Sequence, residues 1–160
     1  TLRAPHLSDW PAYAALLASP RSRFLAGPYS EMDAWGWFCA DRAQWDWFGH
    51  GALWIDVTDT GETVGQANII HPPAWPQEEL GFMLLDGCEG RGYATEAAQA
   101  MRDWYYDTHT TPVRLVSYLH RENRASAAVM QRLGATPDAT RPVPFDGYQA
   151  YLHPGAEALQ

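Results

Sequence analysis

The sequence predicts a mixed α/β (α+β) domain in which short strands dominate the middle of the chain and helices flank them. Three observations predict this class. The chain has 160 residues, the usual length of one domain. Apolar residues make up 46% of it, which suits a hydrophobic core and argues against disorder. Helical and alternating apolar patterns follow one another without a linker, a repeat or a low-complexity tract. Residues 1–160 are therefore expected to form a single domain.

The first part of the chain is predicted to form a strand and two helices. TLRAP is a short opening strand, and Ser8 is the expected N-cap of a helix over WPAYAALLAS, with Pro11 in its first turn. A loop rich in Ser, Pro and Gly follows. Ser30 opens the second helix, and Asp33 three residues later completes an approximate capping box. Six aromatic residues lie along this helix before GHG ends it: Trp35, Trp37, Phe38, Trp45, Trp47 and Phe48.

The remaining segments alternate strands with two further helices. ALWIDVTDTGETVGQANII is a predicted hairpin with DTGE at its turn, and the Pro-rich HPPAWPQ connects it to a strand over EELGFMLLD. A helix then runs to about Asp107, followed by the strand VRLVSYLH. ENRASAAVMQRLGA is a helix that ends at the C-cap Gly134, and two short strands complete the tail.

Charge and composition exclude several classes of function. The chain has 11 basic and 19 acidic residues, a formal net charge of −8, which disfavours nonspecific binding to nucleic acid or anionic membranes. No apolar run reaches the roughly 18 residues of a membrane span. TLRAPHLSDW is neither a signal nor a transit peptide, and the missing initiator Met indicates residues before Thr1. Cys39 and Cys88 lack metal-ligand spacing and are expected to be unpaired. We therefore expect a cytoplasmic location and no metal.

The stretch GCEGRGYATEA, residues 87–97, predicts an anion site. Its three glycines allow positive φ and a close approach of the backbone to a ligand, and the helix that follows offers unpaired N–H groups. A P-loop is excluded because the chain has no Lys. A Rossmann fingerprint is excluded because the spacing is G-x-x-G-x-G and the next strand lacks an acidic residue. An ordinary glycine turn before a helix remains the alternative at this point.

Four segments in order resemble the GNAT superfamily of acyl-CoA-dependent N-acyltransferases, and most closely its ribosomal-protein N-terminal acetyltransferase branch. They are LRAPHLSDW, EELGFMLLD, EGRGYATEA and ENRASAAVMQRLGA. The likeness spans nearly the whole chain, and its last two motifs, about 30 residues apart, are quite specific. Two residues depart from the family's pattern. Glu89 stands where many members have Gln or Arg, and Ala135 replaces an aromatic residue after Leu-Gly.

The resemblance implies the GNAT fold: a mixed, mostly antiparallel sheet that is splayed between its fourth and fifth strands, where acetyl-CoA enters as cosubstrate. By match, the backbone of Met83, Leu84 and Leu85 would pair with the pantetheine arm like an added strand. Asn123 would hydrogen-bond that arm, although it is equally well placed to cap its helix. Ser126 would lie near the sulfur. The N–H groups expected to hold the pyrophosphate belong to Arg91, Gly92, Tyr93, Ala94 and Thr95.

The implied chemistry is the attack of an amine on the thioester carbonyl. The oxyanion that forms needs a donor, and the backbone N–H of Met83 matches that position in the family. Glu79 is the candidate base, four residues earlier on the same strand, whereas Glu78 faces the other side. Many members protonate the leaving thiolate with a Tyr at the position of Met130, which cannot donate a proton. Ser126 is the expected substitute.

The acceptor is not identified by the sequence. Tyr118 and His120 lie near the end of the fifth strand and are further candidates for the site. The helices and the loop that line the acceptor side in this fold carry several aromatic residues, of which one or two could form an apolar or cation–π wall for an amine. These are Tyr29, Trp35, Trp37, Trp45, Trp47, His71 and Trp75.

Two functions of different class follow. The first is an N-acetyltransferase that acts on a peptide N-terminus or a small-molecule amine. The alternative is a noncatalytic acyl-CoA or CoA-binding sensor, which the missing Tyr at position 130 allows. The acyl-chain preference and the oligomeric state, including a homodimer, stay open.

Overall fold

The computed structural model describes residues 1–110 and 112–159. Its strands are β1 (Leu2–Arg3), β2 (Ala52–Asp56), β3 (Thr63–Ile70), β4 (Glu79–Leu84), β5 (Val116–His120), β6 (Thr136–Asp138) and β7 (Tyr148–Leu152). Its α-helices are α1 (Trp10–Ala18), α2 (Glu31–Phe48), α3 (Tyr93–Thr108) and α4 (Arg124–Arg132).

The strands form one sheet in the order β1-β2-β3-β4-β5-β7-β6. Every neighbouring pair is antiparallel except β4 and β5, which are parallel and paired only at Glu79 and Val116. The two strands diverge beyond that pair, so the mixed, mostly antiparallel sheet splayed between β4 and β5 is confirmed. This split is where the functional site lies.

Helices cover the two faces of the sheet. The side chains of Ile69 and Leu80 pack under α3 and α4 in the main core, together with Met101 and Met130. On the opposite face α1 and α2 pack over Trp54 in a second, aromatic core. Because successive side chains on a strand point to opposite faces, Glu79, Gly81 and Met83 of β4 share the face that α1 and α2 cover.

The N-cap residues differ from the prediction at one place. Ser30 caps α2 as expected, since its Oγ accepts the Asp33 N–H at 3.2 Å. Ser8 does not cap α1, because residues Leu7–Asp9 form a 3-10 turn and Asp9 becomes the N-cap residue. The Asp9 carboxylate is held there by Arg3 at 2.7 Å. The helix itself begins at Trp10 as predicted, and only the N-cap residue differs.

The predicted loop before α2 also contains structure. Its residues Pro20–Leu25 form a 3-10 helix that Ser19 caps by accepting the Arg21 N–H. This segment crosses the open side of the split near β5, since the Tyr148 hydroxyl donates to the Phe24 carbonyl at 3.1 Å. It therefore contributes residues to the site that the sequence did not indicate.

Candidate active site

The glycine loop and the start of α3 have the backbone geometry that an anion site requires. Gly87, Gly90 and Gly92 all have φ near +80°, in the left-handed region that favours glycine. Gly92 is the N-cap of the 16-residue helix α3 and supplies no side-chain cap. The first helical hydrogen bond runs from the Glu96 N–H to the Gly92 carbonyl at 3.1 Å. The N–H groups of Tyr93, Ala94 and Thr95 are therefore left for a ligand.

A groove of about 1080 Å³ connects this loop to the sheet split and to α4. It brings together several residues predicted from distant segments. Met83 and Leu84 of β4, Gly92, Ala94 and Thr95 of the loop, and Asn123 and Ser126 at the start of α4 all line it. Leu85, Arg91 and Tyr93 do not line it. The Arg91 guanidinium instead stacks on the Tyr93 ring, 5.0 Å from its centre.

Asn123 caps α4, as one of its two expected roles requires. Its Oδ1 accepts the Ser126 N–H at 3.1 Å. Within the described residues its Nδ2 makes no hydrogen bond, so this donor remains for a ligand in the groove. The cap and a ligand contact are thus compatible at one side chain.

The basic side chains along the groove were not predicted. Arg21 lies at its rim, donating to Asp86 at 2.7 Å and to the Leu84 carbonyl at 3.2 Å, and it also pairs with Glu89. The pairing with Arg21 lowers the pKa of the Glu89 carboxyl. The negative charge of Glu89, which departs from the family pattern, is therefore compensated by Arg21. Arg23 and Arg132 add positive charge to the same groove.

The β3–β4 ladder determines which backbone groups of β4 face the split. The Leu85 N–H donates to the Val64 carbonyl of β3 at 2.9 Å. In an antiparallel pair these bonds alternate, so Met83, opposite Gln66, also directs its N–H toward β3. This orientation does not support the expected role of the Met83 N–H as the oxyanion donor. The amides of Phe82 and Leu84 face the split instead.

A second cavity of about 130 Å³ lies beyond the split, on the face covered by α1 and α2. Phe24, Leu25, Phe82 and Met83 line both this cavity and the groove, so the two spaces meet there. Five aromatic rings form a continuous wall, with centres 5.4–6.4 Å apart from one ring to the next. They are Tyr29, Trp37, Trp75, Phe145 and Tyr148.

The Glu79 carboxyl lies in this second cavity with both oxygens hydrogen-bonded. The Trp75 Nε1 donates to Oε2, and the Tyr118 N–H of β5 donates to Oε1 at 3.2 Å. Burial raises the pKa of Glu79 to about 7, although these two hydrogen bonds favour the charged form. Glu79 thereby also has a structural role, because its carboxylate satisfies a β5 amide where the β4–β5 ladder ends.

Three polar residues of the same cavity were not predicted from the sequence. Asp41 of α2 is 4% exposed and accepts the Tyr13 hydroxyl at 3.1 Å. Burial raises the pKa of Asp41 to about 7, partly offset by Tyr13 and the nearby Gln66 amide. Gln66 Nε2 and Asn68 Oδ1 are buried without a partner in hydrogen-bonding geometry. Unpaired buried polar atoms are costly, and such atoms on a cavity wall suit a polar ligand.

Only some of the other candidate residues line the groove or the second cavity. Tyr118 lines the second cavity, where burial raises the pKa of its phenol to about 12. His120 lines neither the groove nor this cavity. Met130 is fully buried in the core. Of the seven aromatic residues expected on the acceptor side, Tyr29, Trp37 and Trp75 line the cavity. The other four, Trp35, Trp45, Trp47 and His71, do not.

Residues 1–110 and 112–159 contain neither a metal-ligand cluster nor a membrane-spanning helix. No group of three or more His, Cys, Asp or Glu side chains in these ranges is placed to hold a metal ion. In the same ranges no helix has the length and apolar character to cross a bilayer. Cys39 is exposed, Cys88 is buried, and both are free thiols.

Comparison with known proteins identifies the family of this fold and site. Residues 1–136 match the profile of the acetyltransferase (GNAT) domain family. Because this match covers most of the 160 residues, the chain belongs to the GNAT acetyltransferase family. It is an acetyl-CoA-dependent acetyltransferase that transfers the acetyl group to an amine. A comparison with curated protein sequences finds no significant match.

Solved structures of several acetyltransferases are similar to this chain. An acetyltransferase from Agrobacterium tumefaciens str. C58 is 49% identical, with a TM-score of 0.92 over 96% of this chain and 90% of that one. RimL, a ribosomal L7/L12 alpha-N-protein acetyltransferase in complex with coenzyme A, is 20% identical, with a TM-score of 0.71 over 97% and 93% of the two chains. The microcin C7 self-immunity acetyltransferase MccE is 18% identical, with a TM-score of 0.68 over 96% and 89%. At such identities RimL and MccE share the fold.

Proposed function

We propose that this protein transfers the acetyl group of acetyl-CoA by direct attack of a primary amine, from a small molecule or a peptide N-terminus, that enters the acceptor cavity. One observation carries the proposal. The groove that begins at the glycine loop meets a separate cavity at Phe82 and Met83, and a carboxyl of raised pKa, Glu79, lies in that cavity. A thioester lying along the groove would present its carbonyl where the two spaces meet.

Binding of acetyl-CoA follows from the groove. The unpaired N–H groups of Tyr93, Ala94 and Thr95 hold the pyrophosphate, with the positive end of the α3 dipole behind them. The backbone of β4 that faces the split pairs with the pantetheine arm, and Leu84 exchanges its Arg21 contact for this pairing. The Asn123 Nδ2 donates to the same arm while its Oδ1 caps α4.

Glu79 acts as the base. An amine must lose its proton before it can attack, and a carboxylate with a pKa of about 7 is well matched to this transfer at neutral pH. The ammonium first gives one proton to Glu79, directly or through one water, and the nitrogen lone pair then attacks the carbonyl carbon. The nitrogen loses its second proton to solvent water as the tetrahedral intermediate collapses. The Trp75 and Tyr118 hydrogen bonds hold the carboxylate in one orientation.

The remaining steps involve the split and α4. The tetrahedral oxyanion accepts a hydrogen bond from the backbone N–H of Phe82 or Leu84, which face the split. The C–S bond then breaks, the amide forms, and coenzyme A leaves as a thiolate. The thiol of coenzyme A has a pKa near that of cysteine, about 8.5. Protonation of the leaving thiolate is therefore helpful but not essential. Ser126, which lines the groove beside Asn123, is the proposed donor.

Thiol release from acetyl-CoA with a panel of amines and short peptides tests the proposal. The wild-type protein should release coenzyme A only when an acceptor is present. Glu79→Gln should lower kcat about 100-fold, the lower end of the usual contribution of a general base. It should also remove the acidic limb of the pH profile near pH 7, because Gln cannot titrate.

Glu78→Gln is the matched control, since Glu78 contacts His71 and does not line the cavity. This variant should keep the activity of the wild-type protein. Full activity of Glu79→Gln on an amine of high pKa would remove Glu79 as the base. Tight binding of coenzyme A without release on any acceptor would favour the noncatalytic sensor.

A further inference from the structure

We propose that the acceptor cavity selects a short primary diamine, whose second ammonium group binds at Asp41 while its reacting nitrogen lies at Glu79. This inference rests on the proposed function, because it assigns the substrate class of the same cavity. It concerns the Asp41 end of the cavity, which has no part in the acetyl transfer itself.

The charge of the cavity wall favours a cation. Asp41 and Glu79 contribute two carboxyls, and among the described residues that line the cavity there is no Arg or His, while the chain has no Lys. Buried carboxyls are ordinarily paired with a positive charge. Here the groups beside Asp41 are neutral: the Tyr13 hydroxyl, which donates to it at 3.1 Å, and the Gln66 amide. A ligand is therefore left to supply the positive charge.

Unpaired polar atoms near Asp41 support the same conclusion. Gln66 is 1% exposed and lines the cavity, yet its Nε2 has no partner. Asn68 Oδ1 is likewise unpaired on this wall. An amide presents either its oxygen or its nitrogen after a flip of its terminal torsion. Asp41 and the neighbouring Gln66 are the polar groups available to an ammonium at this end, and Asn68 Oδ1 adds an unpaired acceptor further along the cavity wall.

The register of the sheet separates the two ends of the cavity. Glu79 lies opposite Ile70, whereas Gln66 lies opposite Met83, four residues further along β4. At about 3.3 Å per residue the Cα atoms of Glu79 and Met83 are about 13 Å apart along β4. Gly81 lies between them, and the Asn68 side chain covers it, with Oδ1 2.5 Å from where a Cβ at Gly81 would lie. The cavity of about 130 Å³ is well below that of sites for drug-sized ligands.

The aromatic wall suits the charge and the chain of such an amine. Trp37 lies between Tyr29 and Trp75, with ring centres 6.4 Å and 5.9 Å away. Aromatic faces attract ammonium groups and also pack against methylene groups. The reaction remains balanced: one ammonium nitrogen gains the acetyl group and loses two protons, coenzyme A leaves with its sulfur, and the second nitrogen stays an ammonium. The product is a monoacetylated diamine.

Steady-state thiol release tests this specificity with pairs of equal length. We expect kcat/KM for 1,4-diaminobutane to exceed that for n-pentylamine at least about 10-fold, as a hydrogen bond to a charged partner provides, with most of the difference in KM. Asp41→Asn, which keeps an oxygen for the Tyr13 hydroxyl, should reduce this ratio to about 1. Asp46→Asn on the exposed side of the same helix is the matched control and should preserve the ratio.

Calorimetry of 1,4-diaminobutane on the protein loaded with coenzyme A separates failure of this inference from failure of the proposed function. Binding that n-pentylamine does not reproduce would support the inference even without turnover. The wild-type comparison needs no variant, so a misfolded Asp41→Asn would not obstruct it. Turnover of monoamines or peptide N-termini at equal or better efficiency, without preferential diamine binding, would overturn the inference and leave the acetyltransferase intact.

Discussion

At the scale of single residues, Asn123 has a structural role that is compatible with the ligand contact proposed for it. Its Oδ1 caps α4 through the Ser126 N–H, while the position lines the groove proposed for acetyl-CoA. Sequence reasoning left these two roles as competitors. The structure makes them additive, because the amide has a separate donor and acceptor.

Substitutions at Asn123 should separate the two roles. Asn123→Ala should destabilise the fold by about 1 kcal/mol through loss of the cap, and it should also weaken coenzyme A binding. Asn123→Asp restores a capping oxygen but removes the Nδ2 donor. It should recover the stability in urea unfolding without recovering the affinity in calorimetry. If Asn123→Asp bound coenzyme A as tightly as the wild type, the Nδ2 contact would be refuted.

At the scale of elements, the glycine loop and α3 act as one unit. The periodic apolar face of α3 packs into the main core and holds the helix, and Gly92 lets the chain enter it at a φ of +87°. A Cβ at Gly92 would meet no protein atom within 4 Å. The position thus requires glycine for its backbone conformation and not for packing within the protein, and the open space beside it is where the pyrophosphate is proposed to bind.

Gly92→Ala tests this element. We expect a loss of about 1 kcal/mol in stability, because the left-handed region is costly for alanine, together with weaker binding of coenzyme A. Gly36→Ala is the matched control, since Gly36 lies within α2 in open space and at a helical φ. That variant should gain about 0.5–1 kcal/mol in urea unfolding and bind coenzyme A as the wild type does. Unaltered affinity in Gly92→Ala would contradict the close approach of the pyrophosphate.

At the scale of the whole molecule, two buried carboxyls in one cavity connect stability to pH. Burial raises the pKa of both Asp41 and Glu79 to about 7. Between the unfolded pKa values of about 4 and these folded values, the folded protein binds more protons than the unfolded chain. Their contribution to the free energy of unfolding therefore falls as pH rises through this window. His153, whose pKa burial lowers to about 4, acts in the opposite direction.

Comparison of Asp41→Asn with the wild type isolates one of these contributions. The wild type should lose about 2 kcal/mol more stability than Asp41→Asn between about pH 5 and about pH 7.5, because asparagine cannot ionise. Urea unfolding at the two pH values measures the difference, with Asp46→Asn as the surface control. Equal losses in the wild type and Asp41→Asn would show that Asp41 has an ordinary pKa. Saturating diamine should reduce the wild-type loss if Asp41 binds the second ammonium.

The parts of the fold that could be predicted are those with local causes. The helical periods before Asp107 and Arg132, the Ser30 cap and the three positive-φ glycines were all readable from short stretches of the chain. The start of α1 at Trp10 was predicted, but its N-cap was placed at Ser8 instead of Asp9, whose carboxylate a distant strand residue, Arg3, holds. The 3-10 helix Pro20–Leu25 was not predicted, because the Ser, Pro and Gly content of this segment is equally typical of a loop.

The sequence by itself determined the helical periods and the glycine loop, because these have local causes, and the resemblance of four of its segments to the GNAT superfamily implied the fold, the acetyl-CoA chemistry and the segments that meet in the groove. Only the tertiary structure decided which β4 amides face the split, since this depends on the β3 register. It also decided that Asp41, Gln66 and Asn68 share a cavity with Glu79. These residues come from a helix and two strands that no local pattern connects, and packing α2 across the sheet brings them together.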